Sequence, residues 1–332
     1  MRLSALAATA TLMLGGWLGA ARADAAAPSL AFPLACEIGR DCEIQHYFDR
    51  DPGPGVLDYR CGQRTYQGHD GLDIRLKDLA EERAGIAVLA AAAGRVAGLR
   101  DGQPDISIRA PGAASVAGKE CGNGVVVDHG AGWVTQYCHL ARGSVRVKVG
   151  EAVAAGQPLG RVGLSGDTEF PHLHLTVRHD GRAVDPFSPE PGAAPGSCVA
   201  RSPLWDAAAL RRLAYKPGAV LNTGFTTAAV DNGGIEAGGL PAPDLAAPAL
   251  VAYVRLIELE AGDRVELILT GPDGAVLRRT LAAPLDRQKA QYFAYLGAPR
   301  PVAGWRRGTY GAQVRVLRAG HTAITRSWTI GL

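Results

Sequence analysis

The stretch EFPHLHLTVRHD, Glu169 to Asp180, sets two imidazoles one residue apart, at His172 and His174. In a β-strand the side chains of i and i+2 leave the same face. His172 and His174 then project together, while Leu173 and Leu175 project to the other side. An imidazole is both a metal ligand and a base that titrates near neutrality, so the pair reads as a ligand beside a companion base. Two hydrogen-bonded structural histidines are the plain alternative, which three residues alone do not exclude. A hydrolytic zinc site needs three protein donors and an open fourth position, so further residues must come from elsewhere. GHDGLDI, residues 68–74, offers His69 and Asp73 around Gly71. Glycine relaxes the backbone, which would let a turn and the strand after it bring both side chains to one ion. Imidazole with carboxylate is a donor set that suits zinc. Asp70 is a rival oxygen donor, but next to His69 in extended chain it would point away.

Short strands must carry these residues. From Ala87 to Val177 the pattern is almost wholly strand, with IAVLAAAAGRVAGL, the hairpin GVVVDHGAGWVTQYCHL, SVRVKVGEAVAAGQPLGRVG and the hairpin HLHLTVRHDGRAVDP, which turns at Asp180-Gly181. Long helical periodicity is missing; one short helix is expected over Asp78–Arg83. SPEPGAAPGS, 188–197, reads as a linker. A helix is expected after it, with Ser202 as N-cap and Pro203 in its first position. Six further strand-like runs then suggest a β-sandwich: AVLNTGF, ALVAYVRLIEL, DRVELILTGPDGAVLRRTL, KAQYFAYL, GTYGAQVRVLRAG and TAITRSWTI.

GHDGLDI, TQYCHL and PHLHLTV, in that order, resemble the H-x-G-x-D, Y-x-H-L and H-L-H motifs of the lysostaphin-type zinc metallopeptidases, bacterial peptidoglycan endopeptidases and autolysins. The glycine-rich VAAGQPLGRVGLSGDTEFPHLH is similar to that family's approach to its last motif, and the likeness runs from about Gln67 to Pro186. The resemblance implies an antiparallel β catalytic domain with an open groove. It implies one Zn2+ per chain on His69, Asp73 and His174, and His139 and His172 as catalytic residues that do not bind it. Zinc lowers the pKa of a bound water towards ~7 and polarises the scissile carbonyl. An imidazole can take the water's proton, and an N–H donor can stabilise the oxyanion. His139 and His172 share these tasks, in an order the sequence leaves open. Cys138, between Tyr137 and His139, stands where the family often has a small residue. The segment Cys36–Arg64 has no counterpart in the minimal family domain. Its His46, Asp49 and Asp51 could line the cleft or cap the metal; a surface loop held by cysteines is the favoured reading.

The remaining histidines are weaker candidates. His129 reads as a turn hydrogen-bonder, His179 falls on the opposite strand face from His174, and His321 reads as surface.

The chain has 332 residues, room for two domains. Its start, MRLSALAATATLMLGGWLGAARADA, has the charged, apolar and A-x-A order of a secretory signal. Cleavage is expected after Ala23, with Ala25 second; an uncleaved anchor is the alternative. Removing 1–23 takes Arg2 and Arg22 and no acids, so the formal charge falls from +3 to +1, which speaks against nucleic acid as a partner. No later stretch reaches the ~18 apolar residues a membrane span needs. Six cysteines behind an export signal read as disulfides; of the fifteen pairings open to them, Cys36 with Cys42, Cys121 with Cys138 across a hairpin, and Cys61 with Cys198 is the preferred one. The expected organisation is a signal over 1–23, a zinc peptidase unit over 24–187, a linker over 188–200 and a β-sandwich-like accessory unit over 201–332. The expected function is a secreted, periplasmic endopeptidase acting on peptidoglycan stem peptides. The bond expected is D-alanyl to meso-diaminopimelate, not a glycine bridge, because the lack of a wall-sorting tail and the richness in cysteine both fit a periplasm, whose wall is directly cross-linked. Two other readings are an inactive scaffold that activates another wall hydrolase, and a protease for secreted proteins. For the accessory unit the sequence names no partner.

Overall fold

Alternation of apolar and polar residues decides how these strands stack. The protein is described by a computed structural model over residues 26–189 and 202–332. The expected signal 1–23, its cleavage site and most of the linker 188–200 lie outside the described residues. The first half contains β1 (Cys42–His46), β2 (Leu72–Leu76), α1 (Leu79–Ala84), β3 (Ala87–Leu89), β4 (Gly94–Arg100) and β5 (Asn123–Gly130). It continues with β6 (Trp133–Leu140), β7 (Ala152–Val153), β8 (Pro158–Arg161), β9 (His172–His179) and β10 (Arg182–Val184). Strands run in the order β1-β2-β9-β6-β5-β4-β7, with β10 on β9, as one antiparallel sheet; β3 and β8 form a separate pair.

One face of this sheet is apolar. Leu72, Ile74 and Leu76 of β2, Leu173, Leu175 and Val177 of β9, and Val125 and Val127 of β5 are almost fully buried in one cluster. The other face of β2 and β9 carries Asp73, Arg75, His172 and His174, and the ladder sets Asp73 opposite His174 and Arg75 opposite His172. A one-residue slip would turn the polar set into the core, so the hydrophobic pattern fixes the register that assembles these side chains. The Asp180-Gly181 turn has both residues at positive φ, as a two-residue hairpin of the primed type requires. Asp78 caps α1, accepting from the Ala80 and Glu81 N–H groups. Ser144–Val149, with its alternating valines, was expected as strand but forms none.

The second half contains α2 (Ala207–Arg212), β11 (Ala219–Thr226), α3 (Asn232–Ala237), β12 (Ala249–Leu259), β13 (Arg264–Thr270), β14 (Val276–Leu281), β15 (Lys289–Pro299), β16 (Thr309–Arg318) and β17 (His321–Gly331). They form two antiparallel sheets, β11-β12-β15 and β14-β13-β16-β17. The fold is mostly antiparallel β, as expected. The helix after the linker differs from expectation. Its N-cap is Asp206, whose Oδ1 accepts the Ala209 N–H at 2.7 Å, and Ser202 lies outside it. Leu204 and Trp205 are buried in the first core, with Trp205 bridged to Leu30. That burial keeps 203–205 out of the helix, which starts at the next residue able to cap it.

Cys36–Cys42 and Cys121–Cys138 are disulfides, as expected. Cys61 is disulfide-bonded; its expected partner, Cys198, lies outside the described residues. No helix among the described residues is long and apolar enough to cross a membrane.

Candidate active site

His69 comes from the turn before β2, Asp73 from β2 and His174 from β9. Three atoms face one another: His69 Nε2, Asp73 Oδ1 and His174 Nδ1. Their separations are 3.2 Å between the two nitrogens, 3.2 Å from His69 to Asp73 and 2.9 Å from His174 to Asp73. Donors ~2.0–2.1 Å from a tetrahedral zinc lie ~3.3 Å from one another. The triangle therefore fits such an ion closely, and among the described residues it is the one group of three or more metal-ligating side chains this close together.

Each imidazole is anchored through its other nitrogen. His69 Nδ1 donates to the Tyr47 carbonyl at 2.6 Å. His174 Nε2 lies 3.2 Å from Asp70 Oδ1 and 3.0 Å from Thr176 Oγ1. With those nitrogens as donors, the lone pairs of His69 Nε2 and His174 Nδ1 face inward, as outer partners of metal-bound histidines arrange them. Asp70, the rival oxygen donor, thus lies behind His174 instead of joining the triangle.

Gly71 serves this site through space, since its φ is not positive. A Cβ there would stand 2.7 Å from both His174 Nε2 and the Leu175 carbonyl oxygen. The expectation of backbone freedom at Gly71 is corrected to one of close approach.

His172 and His139 flank the triangle. His172 Nδ1 is 3.0 Å from both the Phe170 carbonyl and Thr168 Oγ1, and its Nε2 lies 3.5 Å from Asp73 Oδ1. His139 Nδ1 donates to the Ser165 carbonyl at 2.8 Å. The two rings lie 4.5 Å apart, and the His139 ring is 6.0 Å from that of His174. Regular alternation in β6 would send His139 into the core with Tyr137. Instead His139 takes φ +62, and the β5–β6 register shifts between Asn123 and Val125. A bulge re-aims a side chain in this way, and the Cys121–Cys138 disulfide and the His139 N–H to Cys121 carbonyl bond at 2.9 Å secure it.

Burial raises the pKa of Asp73, but His69 and His172 outweigh it and hold the carboxyl well below its ordinary range. Burial, reinforced by His172 and His174, holds His139 well below 6.5, so its imidazole is neutral at physiological pH. Burial lowers His174 too, yet Asp70 and Asp73 prevail and push it up to about 9. Surroundings that favour a proton on that ring favour a cation at its inward nitrogen. A groove with Tyr66, Asp70, Glu120, Gln136, Asp167 and Arg178 in its walls opens onto His139 and His174.

Of the segment 36–64, none lines this groove. Asp49 accepts the Gly68 N–H at 2.8 Å and steadies the turn that carries His69; Asp51 caps the Gly53 N–H. His46 sits on β1, the buried edge strand, so this part of the segment is sheet and not surface loop. Its Nδ1 is 3.0 Å from Asp73 Oδ2. The other histidines stay apart from the triangle. His129 bonds Ala93 and Thr135, His179 stacks on Trp133, and His321 is exposed. Asp49, a cleft or capping candidate by sequence, supports the His69 turn instead. Asp70 has a signal only through its place inside the first motif, and Thr168 has none.

The sequence profile of Peptidase family M23 matches residues 67–186. The chain is 34% identical over 125 residues to the cell division protein DipM of Caulobacter vibrioides, across 38% of this chain and 17% of that protein. It is 41% identical over 64 residues to the peptidoglycan DD-endopeptidase ShyA of Vibrio cholerae, across 19% of this chain and 14% of that protein. It is 44% identical over 62 residues to the murein hydrolase activator EnvC of Escherichia coli, across 19% and 14%. The matched stretch is thus less than a fifth of the length of each relative.

Proposed function

Because residues 67–186 form a domain of peptidase family M23, we propose that this protein is an exported zinc endopeptidase that cleaves peptide cross-links of peptidoglycan. The observation that carries the proposal is the triangle of His69 Nε2, Asp73 Oδ1 and His174 Nδ1, each imidazole pinned with its lone pair inward. These residues would hold Zn2+, which when bound acidifies a water to a pKa near ~7 and polarises a carbonyl. His139, kept neutral by burial, can accept a proton at Nε2, because Nδ1 is committed to the Ser165 carbonyl. His172, held through Nδ1, presents Nε2 to the same space, where the ring, once it carries a second proton as an imidazolium, can donate to a developing oxyanion. The groove can orient an extended peptide along β6 and β9 past His139 and His174.

That ShyA is a peptidoglycan DD-endopeptidase supports the peptidoglycan substrate, and that EnvC is a murein hydrolase activator favours a second reading, in which the chain activates another wall hydrolase. The filled triangle supports the enzyme, since a scaffold needs no pinned ligand set. Within the enzyme reading, the bond assigned is D-alanyl to meso-diaminopimelate in a periplasmic wall. Two measurements test the proposal. Alanine at His69, Asp73 or His174 should remove bound zinc, whereas alanine at His139 or His172 should leave it and lower turnover by roughly 10²–10⁴-fold. Diaminopimelate-type sacculi should yield monomers with free D-Ala ends by mass spectrometry. A wild-type protein that carries stoichiometric zinc yet leaves cross-linked dimers intact would remove the substrate assignment. Zinc-free protein with wild-type binding to a partner hydrolase would favour the activator.

A further inference from the structure

Asp73 has two carboxylate oxygens, and they face different partners. Oδ1 lies in the triangle with His69 and His174. Oδ2 faces away from it and meets His46 Nδ1 at 3.0 Å. His46 does not belong to the ligand triangle. A β-bulge puts it where it is. Ile44 pairs with Ile74 and His46 with Asp73, so Gln45 is an extra residue on β1. Through this bulge both Gln45 and His46 reach the Glu258 carboxylate. His46 Nε2 is 3.4 Å from Glu258 Oε1, which also accepts from Gln45 Nε2 at 2.8 Å. Glu258 Oε2 accepts from Gln288 Nε2 at 3.1 Å. Glu258 belongs to β12 in the second half of the chain, is buried, and takes φ +55. A residue other than glycine in that conformation is strained, and such residues persist where surrounding contacts dictate them.

We infer that His46 and Glu258 position the metal ligand Asp73, so that the second half of the chain sets the zinc affinity of the first. The inference rests on the zinc reading above. His46 occupies Oδ2 and leaves Oδ1 as the single oxygen turned to the ion. Glu258 fixes the far side of the His46 ring, and Gln45 and Gln288 fix Glu258. Hydrogen-bond partners of metal ligands are typically worth about 10–100-fold in metal affinity. A packing role alone would lower the stability of the whole chain and leave affinity for the metal unchanged.

The test is zinc affinity of the full-length protein by competition with a chromophoric chelator, beside the melting temperature of each metal-free protein. His46→Ala should weaken zinc about 10–100-fold. His46→Asn keeps an N–H close to the position of Nδ1 and should restore most of the affinity. Glu258→Gln conserves shape, so it reports even if a more disruptive variant fails to fold; it should weaken zinc by a smaller factor in the same direction. The inference is overturned if Glu258→Gln and His46→Ala bind zinc as the wild type does, or if His46→Asn is as weak as His46→Ala. Wild-type protein without stoichiometric zinc would overturn the zinc reading itself, an outcome distinct from wild-type binding in the variants.

Discussion

Gly71→Ala is the smallest change that should damage the site. The new Cβ would stand 2.7 Å from the Leu175 carbonyl oxygen, 2.7 Å from His174 Nε2 and 2.8 Å from His174 Cε1. Ordinary contact begins near 3.4 Å, so the shortfall is 0.7 Å at two atoms. Neither neighbour yields freely. Leu175 pairs with Leu72 in the β2–β9 ladder, and the His174 ring is held by Asp70, Thr176 and Asp73. Overpacking of this kind costs about 1–3 kcal/mol. If the ring gives way, its inward nitrogen leaves the triangle. The whole strain then appears as weakened zinc binding, about 5- to 150-fold, because 1.4 kcal/mol is a factor of ten. Turnover should fall further, since a displacement of about 1 Å can cost roughly 10²-fold. Chelator competition and a melting curve measure the two effects. Gly98→Ala is the control, because a Cβ there meets nothing within 4 Å and should leave both unchanged. Normal zinc affinity with a lowered melting temperature would place the strain in the ladder and refute the ligand part of the argument. Wild-type values for both would refute all of it.

Three other outcomes follow from the packing around the site. Replacing Cys121 and Cys138 by serine frees a loop with sequence separation 17; a loop of that length is worth about 3 kcal/mol, so chemical unfolding should show that loss, with turnover lowered because His139 loses its tether. Asp185 is buried and, through desolvation, has its pKa pushed up from 3.8 to about 6. The native state therefore keeps a proton there that the unfolded chain has already lost. The contribution of Asp185 to stability falls as pH rises from about 4 to about 6, by at most about 3 kcal/mol. Asp185→Asn should melt higher than wild type above pH 6, with the gap closing towards pH 4, and a gap that does not vary with pH would contradict the assignment. Glu236 of α3 pairs with the buried Arg75 of β2 and Arg255 of β12. Glu236→Ala leaves two guanidinium groups uncompensated and should cost about 3–5 kcal/mol in denaturant unfolding, whereas a loss below 1 kcal/mol would show the pairs to be inconsequential.

The site was legible in the sequence to the extent that it follows strand period. His172 and His174 share a face because β9 is regular, and Asp73 joins them because the apolar pattern of Leu72, Ile74 and Leu76 fixes the register of β2. His139 breaks that rule. By alternation it belongs with Tyr137, which is buried with its hydroxyl bonded to the Ala91 N–H at 2.7 Å. Only the resemblance of TQYCHL to a family motif marked it, since a bulge leaves no periodic signal. The strands of the second half were readable for the same reason as β9: ALVAYVRLIEL coincides with β12 over its full length. The helices there were less so. Asn232–Ala237 contains two glycines, each costing about 1 kcal/mol in a helix, and is held by the Asp231 cap and buried Ile235. Ser202-Pro203 had the chemistry of a helix start, but the pull of the first core on Leu204 and Trp205 outweighed it. Least legible was His46 with Glu258. Neither lies in a motif, and their meeting depends on one bulge in β1 and one left-handed residue in β12. Features that follow a period can be read in advance. Those that make this site specific to this chain arise where the period is interrupted, and there the three-dimensional packing must supply what the pattern does not.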